Sequence, residues 1–405
     1  MIMKSRYFLM TAALFLAFLG HGMGGMIISQ NRGALESQWA DPHFFGTVMS
    51  MVGWGRLTTF IIAGKLSDVF GRKFFLMLGS VIYIVGLVGM AYTMTLGAAA
   101  SFAFLFGVAN SFIDVGIYPA LIEAFVEEAK RVTTALVMFL RIGQLVLPVL
   151  MLGVFSATGL GVNFRISFFM VAVIFALNLV LVLFAKFPDH KAAAVLEKQA
   201  QAVDAESRRG IRSLFSIEGL AFIVYGFVSM GTFMIIQQFS NRFGEAALNM
   251  AADIANFIPT FFAIGSIAGV ITAIVAQSKF KAVDVMVVLT SISLAATLLV
   301  RLAPSVLTLI IATMLIGFAA AGGVMQMGIA LMTEMIPMGK GVVSGIFLSM
   351  GSVASVGVPI VVAQIEARNH LDVMLFNAVL AALGLLCTIV INVRFKMLEG
   401  NGKKT

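Results

Sequence analysis

The sequence predicts an all-α membrane protein: twelve transmembrane helices in two six-helix repeats, with both termini cytoplasmic. Three observations predict it. The first is composition. Of 405 residues, 60% are hydrophobic and 11% charged, against about 25% charged in an ordinary globular domain. So much apolar surface needs a bilayer as its solvent. The second is length. Apolar windows of about 20 residues, enough to cross a hydrocarbon core, recur twelve times. The third is charge asymmetry. Of 27 Lys and Arg, 20 fall in segments that become cytoplasmic under the positive-inside rule and 5 in outer segments. The windows must be helices, since a spanning helix satisfies its own backbone, and they lack the alternation of a membrane barrel.

The first window, 6–29, begins like a signal peptide, basic then apolar. No small-residue cleavage site follows and the apolar run continues to Ser29, so it reads as an uncleaved span. The second and third, 44–64 and 74–95, flank the loop GKLSDVFGRKFFL at 64–76. The fourth, 98–125, carries NSFIDVGIYPALIEAF at 110–125. The fifth and sixth, 133–157 and 163–186, close the first half. A polar stretch, 187–213, reads as a cytoplasmic connector. Six more windows follow: 216–240, 251–276, 283–302, 304–333, 340–366 and 370–396. The expected organisation is therefore 1–186, 187–213 and 214–405.

The halves echo each other at an offset near 208 to 210. MIISQ (26–30) parallels MIIQQ (234–238), Gly107 parallels Gly317, and Gly143 parallels Gly351. Parallel six-helix repeats describe transporters that bind their cargo near the membrane midplane.

Ionisable residues inside spans are unfavourable by about 2.5–3.5 kcal/mol on insertion scales, so each asks for a reason. Asp114 is the carboxylate deepest in a predicted span, and Asn110 and Tyr118 share its helical face at spacing four. A carboxylate taken out of water binds a proton more readily, so Asp114 reads as a proton carrier; a purely structural partner for an arginine is the plain alternative. Arg56 lies twelve residues before Asp68, about 18 Å along a helix, and Arg141 ten past Arg131, about 15 Å. Two guanidinium groups against one carboxylate leave a surplus positive charge, which an anionic substrate would neutralise bidentately. Alternatively, Arg141 pairs with Glu123 as a cytoplasmic gate. His21, midway through the first span, is a second proton-coupling candidate or a packed histidine. Gln144, three residues from Arg141, joins the substrate-binding candidates. The second half offers amides, chiefly Gln326 near the Asp114 level and Gln237 towards the outer end.

The loop at 64–76 resembles the signature loop of the major facilitator superfamily: Gly64, Leu66, Asp68, Gly71, Arg72 and Lys73 all match. The two glycines permit close approach and a sharp turn, and Asp68 can cap a helix or pair with a cation as a latch between conformations. The corresponding loop of the second half, AQSKFKAVDVM (276–286), is degenerate. Closer in, HGMG (21–24), the 110–125 segment and AAGGVMQMGIALM (320–332) are similar to the YdiM-like bacterial permeases, some encoded beside shikimate and quinate metabolism genes. The resemblance covers nearly the whole chain. It implies a secondary transporter of a bacterial inner membrane, acting as a monomer, with a hydroxylated or aromatic organic acid as cargo and protons as co-substrate. A proton-coupled drug exporter is the alternative, weakened because 140–159 lacks the Gly-Pro-rich motif of that group.

Other classes fall away. GHGMGG (20–25) matches a dinucleotide fingerprint but sits inside a span, where small residues serve helix packing. No phosphate-binding Walker loop exists. Four His and one Cys, Cys387, offer no metal spacing. No cofactor, metal or nucleic-acid partner is expected, and the net charge of +8 is the topogenic bias.

Overall fold

The computed structural model describes residues 6–39, 44–125, 128–151, 164–188, 213–320, 324–338 and 340–402. Most of the expected connector, 189–212, lies outside the described residues, as do the side chains of Asp68, Lys130 and Arg131. The described chain is almost entirely helical. Contacts divide it into two compact units, Met1–Glu197 and Lys198–Thr405.

The first unit runs α1 (Phe8–Gln30), a short α2 (Arg32–Trp39), α3 (Phe44–Phe70), α4 (Arg72–Ala91), α5 (Leu96–Ala124), α6 (Ala129–Val149) and α7 (Phe164–Phe184). The second runs α8 (Ile217–Leu248), a single turn α9 (Ala252–Ala255), α10 (Ile258–Lys279), α11 (Ala282–Leu302), α12 (Val306–Ala319), α13 (Met325–Met335), α14 (Lys340–Glu366) and α15 (Leu371–Gly402). Every predicted window is occupied by helix. Among the described residues, eight helices are long and apolar enough to cross a membrane, and three more are shorter apolar helices. The eighth window opens with the single turn α9 ahead of α10; in the tenth, residues 321–323 between α12 and α13 lie outside the described residues.

Local chemistry sets the helix ends. Thr95 and Ser216 accept a backbone N–H from the first turns of α5 and α8, and Ser305 with Thr308 forms a capping box at α12. Gly71 joins α3 to α4 at φ 91°, a left-handed conformation that glycine adopts without a Cβ clash. On α7, Phe169, Val173, Leu177, Val180 and Phe184 are all exposed. Their spacing of three and four makes one apolar stripe, as a lipid-facing helix requires.

In the first unit α3 and α4 pack on α5, and α1 packs on α6 and α7; in the second α10 packs on α12, and α8 on α14 and α15. The closest approaches are made by glycine. A Cβ on Gly55 would collide with the Phe104 carbonyl, and one on Gly107 with the Val52 carbonyl. The second unit repeats the arrangement 210 residues later: Gly265 meets the Met314 carbonyl and Gly317 the Phe262 carbonyl. Gly22 and Gly143 similarly lock α1 to α6 against the Leu140 and Leu19 carbonyls. That second contact is looser in the other half, where Gly351 meets the Met230 side chain at 3.6 Å and the Gly226 carbonyl at 3.9 Å.

Gly107→Leu should force α3 from α5 and destabilise the protein by about 1–3 kcal/mol, the usual effect of overpacking. Gly357→Ala, with nothing within 4 Å of the new methyl, should be neutral. Thermal unfolding of the two variants in the same detergent checks the contrast.

Candidate functional site

The glycine contact between α3 and α5 decides what their polar residues can reach. With the backbones this close, the Ser111 hydroxyl lies 3.3 Å from the Arg56 carbonyl and 3.2 Å from that of Gly107. The Arg56 side chain then runs along α5 to Asp114, with Nη2 donating to Oδ2 at 2.9 Å. Asp114 is 9% exposed at its side chain and Arg56 32%. The carboxylate is thus nearly enclosed, while its partner keeps an open edge. The guanidinium also lies 5.8 Å from the centre of the Phe60 ring, a cation–π distance.

Aromatic rings and one imidazole wall the pair. Phe18 of α1 sits 5.5 Å from the His21 ring and meets Tyr118 edge-on at 5.4 Å. His21 is 6.2 Å from the Tyr83 ring, which stacks on Phe175 at 4.3 Å and meets Phe106 edge-on at 5.3 Å. The charges of Asp114 and Arg56 act on His21, Tyr83 and Tyr118 alike. Three polar atoms in this wall are buried without a protein hydrogen-bond partner: His21 Nδ1, Tyr83 Oη and Asn110 Oδ1. Tyr83 escaped the sequence reading. It is the tyrosine near the middle of the third window, well away from Tyr92 at the window's end, and that depth was the available signal. On α6, Arg141 Nη1 donates to Gln144 Oε1 at 3.0 Å, so those candidates form a pair of their own.

A second cluster sits at the signature loop. Arg72 Nε and Nη2 both lie 3.2 Å from Glu123 Oε1, and Arg72 Nη1 donates to Ser67 Oγ at 2.9 Å. Ser67 in turn donates to the Val115 carbonyl at 3.1 Å. Lys73 Nζ donates to the Leu183 and Ala185 carbonyls at 2.8 and 3.1 Å, fastening α4 to the end of α7. Two expectations change here. Glu123 takes Arg72 as its ion-pair partner, because α4 and α5 pack directly. Gly64 lies inside α3 with open space where a Cβ would be, so no close approach accounts for it; Gly71 alone supplies the sharp turn. In the second unit Gln237 is buried and Gln326 exposed. Gln326 is absent from the cavity of that unit, whose polar walls are Tyr225, Ser229, Thr232, Thr290 and Ser293. Among the described residues no cluster of His, Cys, Asp or Glu could hold a metal ion.

Comparison with known proteins fits this geometry. The family model described as Major Facilitator Superfamily matches residues 10–359. Inner membrane transport protein YdiM of Escherichia coli (strain K12) is 33% identical over 395 residues, covering 97% of this chain and 96% of that protein. The transporter YfkL of Bacillus subtilis (strain 168), described as an uncharacterised MFS-type transporter, is 30% identical over 393 residues, covering 96% and 97%. Among solved structures, a D-xylose–proton symporter superposes with TM-score 0.73 at 16% identity, covering 96% of this chain and 97% of that one. The nucleoside transporter NupG gives 0.72 at 14% identity, covering 94% and 99%. At these identities the two structures speak for the fold alone.

Removing Arg56 strands a buried carboxylate, so Arg56→Gln should destabilise more than Asp114→Asn does. The double variant should recover part of the loss, because neither charge is then left alone. A double-mutant cycle on thermal unfolding should return a coupling of about 1–3 kcal/mol.

Proposed function

The chain belongs to the Major Facilitator Superfamily, and from that premise we propose a proton-coupled, alternating-access symporter for a small hydroxylated or aromatic organic acid of the shikimate or quinate kind. As a family member it is a multi-pass membrane transporter and not an enzyme. The finer reading rests on one observation: an ion pair between Arg56 and Asp114 at 2.9 Å within helices that pack as membrane spans.

An ion pair there is neither free of cost nor inert. Protonating Asp114 removes its charge and releases the guanidinium; deprotonating it restores the pair. A cargo carboxylate competes for the same arginine through the same two-pronged geometry. Proton and anion thereby share one partner, Arg56, which is the requirement for coupling them. Arg141 supplies a second cation, oriented by Gln144 across one helical turn, and Tyr118 lies beside the pair. The loop cluster of Gly71, Arg72, Lys73 and Glu123, with Gly64 and Asp68, is assigned to conformational gating. The D-xylose–proton symporter joins, by its name, a sugar cargo to a proton, and that pairing suits this reading. So does the inner-membrane location in the name of YdiM, on which we place this chain in a bacterial inner membrane, as a monomer.

In proteoliposomes under an imposed pH gradient, Asp114→Asn should abolish gradient-driven accumulation and spare exchange of labelled cargo across the membrane. Loss of exchange as well would make Asp114 structural. A thermal-shift screen over shikimate, quinate, benzoates and hexuronates should find the cargo class. A ligand at 100 times its Kd raises stability by about 2.7 kcal/mol, and Arg141→Gln should erase that gain. Extrusion of cationic dyes without acid binding would replace the symporter with an exporter.

A further inference from the structure

The three orphan polar atoms around the ion pair need an explanation beyond packing. A buried polar atom without a partner is unfavourable by about 1–3 kcal/mol, and such groups in native proteins mark a bound water or a chemical role. Tyr83 is the sharpest case. Its ring is fully buried and stacked on Phe175, and phenylalanine would pack there equally well. Yet it carries a hydroxyl, and that hydroxyl lies against Gly24, where a Cβ would come within 2.7 Å of it. The glycine makes room for this edge of the ring, Cε1 and hydroxyl alike. His21 stands three residues earlier on the same helix with Nδ1 unpartnered, and Asn110 stands one turn before Asp114 with Oδ1 unpartnered.

The internal repeat supplies an independent control. At the offsets that relate the halves, His21 corresponds to Ser229, Tyr83 to Ser293, Asn110 to Ala320 and Asp114 to Val324. All four counterparts line the cavity of the second unit. The fold therefore tolerates small neutral residues and open space at these positions. Only the first unit fills them with a titratable acid, an imidazole, a phenol and an amide, and it does so together.

We propose that Tyr83 and Asn110 hold water between Asp114 and His21 and complete a proton path that serves the Arg56–Asp114 pair. The inference rests on Asp114 being the proton carrier. The Tyr83 hydroxyl donates to the water oxygen, and Asn110 Oδ1 accepts one water hydrogen. The carboxyl O–H of Asp114 breaks as its proton passes to this water. A different proton leaves the water for the lone pair of His21 Nδ1, forming an N–H bond. The net change is one proton moved: Asp114 becomes a carboxylate beside Arg56, and His21 an imidazolium whose other nitrogen already carried its proton. Water is regenerated. The remaining ionisable groups near this path are Arg56 on α3, Tyr118 on α5 and Arg141 on α6; α7 contributes the apolar Phe175. Tyr83 and Asn110 are positioning residues, since they act through the water.

The test uses the purified full chain without cargo. Stopped-flow pH jumps with a pH-indicator dye read proton uptake by the protein, and thermal unfolding is measured on the same preparations. Asp114→Asn should remove one kinetic phase; if it does not, Asp114 is no proton carrier and the proposed function fails. Given that phase, Tyr83→Phe should keep its amplitude and slow its rate about tenfold or more, in the range expected when a proton-transfer partner is lost, with the melting temperature unchanged or raised. His21→Gln should slow the same phase, and the double variant should be no slower than the worse single one, as members of one path behave. A Tyr83→Phe rate within twofold of the parent, with the Asp114 phase intact, overturns the proposal. So does a lowered melting temperature with an unchanged rate, since the hydroxyl would then be structural.

Discussion

The ion pair between Arg56 and Asp114 constrains everything near it. Each charge taken into a membrane span is unfavourable by several kcal/mol, and attraction offsets that only when geometry is good. Good geometry here means two helices almost in backbone contact. Gly55 and Gly107 allow it, and Ser111 reaches across to the Arg56 carbonyl. The pair is placed by backbone proximity first and by side-chain reach second. The asymmetry of burial matters too. Asp114 is nearly enclosed and Arg56 is not, so the acid has lost its water while the base can still exchange partners.

The second unit shows how separable packing and charge are. It keeps the glycine crossing at Gly265 and Gly317, and Ser266 lies 3.2 Å from the Gly317 carbonyl. At the offset of 210, Ser266 stands for Arg56 and Val324 for Asp114. The crossing survives without its charges. It is therefore a feature of the repeat, and the ion pair is an addition made in one half only. That argues against a stabilising purpose for the pair, since its twin contact holds without one.

Much of the fold was legible in the sequence because a bilayer imposes a one-dimensional rule. Every helix must be apolar for about the same length, so the windows could be counted. Where that rule stops, reading stopped. The step from the single turn α9 to α10 falls within one apolar window, which hydropathy cannot divide. Depth marked Arg56, Arg141 and Asp114 as buried charges but left open which arginine the acid would take; the close crossing of α3 and α5 gives it Arg56. For Glu123 the sequence suggested Arg141 as the partner, because depth says nothing of which helices touch; the direct packing of α4 on α5 gives it Arg72. Tyr83 was invisible because a buried tyrosine in an oily helix looks like any other packing aromatic until its hydroxyl is found without a partner.

One helix joins the two polar clusters of the first unit. α5 carries Asp114, paired with Arg56, and Glu123, which holds Arg72 at the signature loop. Between them the Val115 carbonyl, adjacent to Asp114 in the chain, accepts from Ser67, and Ser67 accepts from Arg72. The loop is thus fastened to α5 at two places, and one is the peptide next to the acid. A helix transmits displacement along its axis with little loss, because its hydrogen bonds run that way. Under the proposed function, a proton on Asp114 would release Arg56 and weaken the attraction binding α3 to α5 at that level, while the same two helices remain tied through Ser67. Any slide or tilt of α5 that follows strains the Ser67 and Arg72 contacts in a fixed direction. Coupling between a proton and a gate needs an element with two arrangements that both sites bias, and in this unit α5 is the element that both clusters grip.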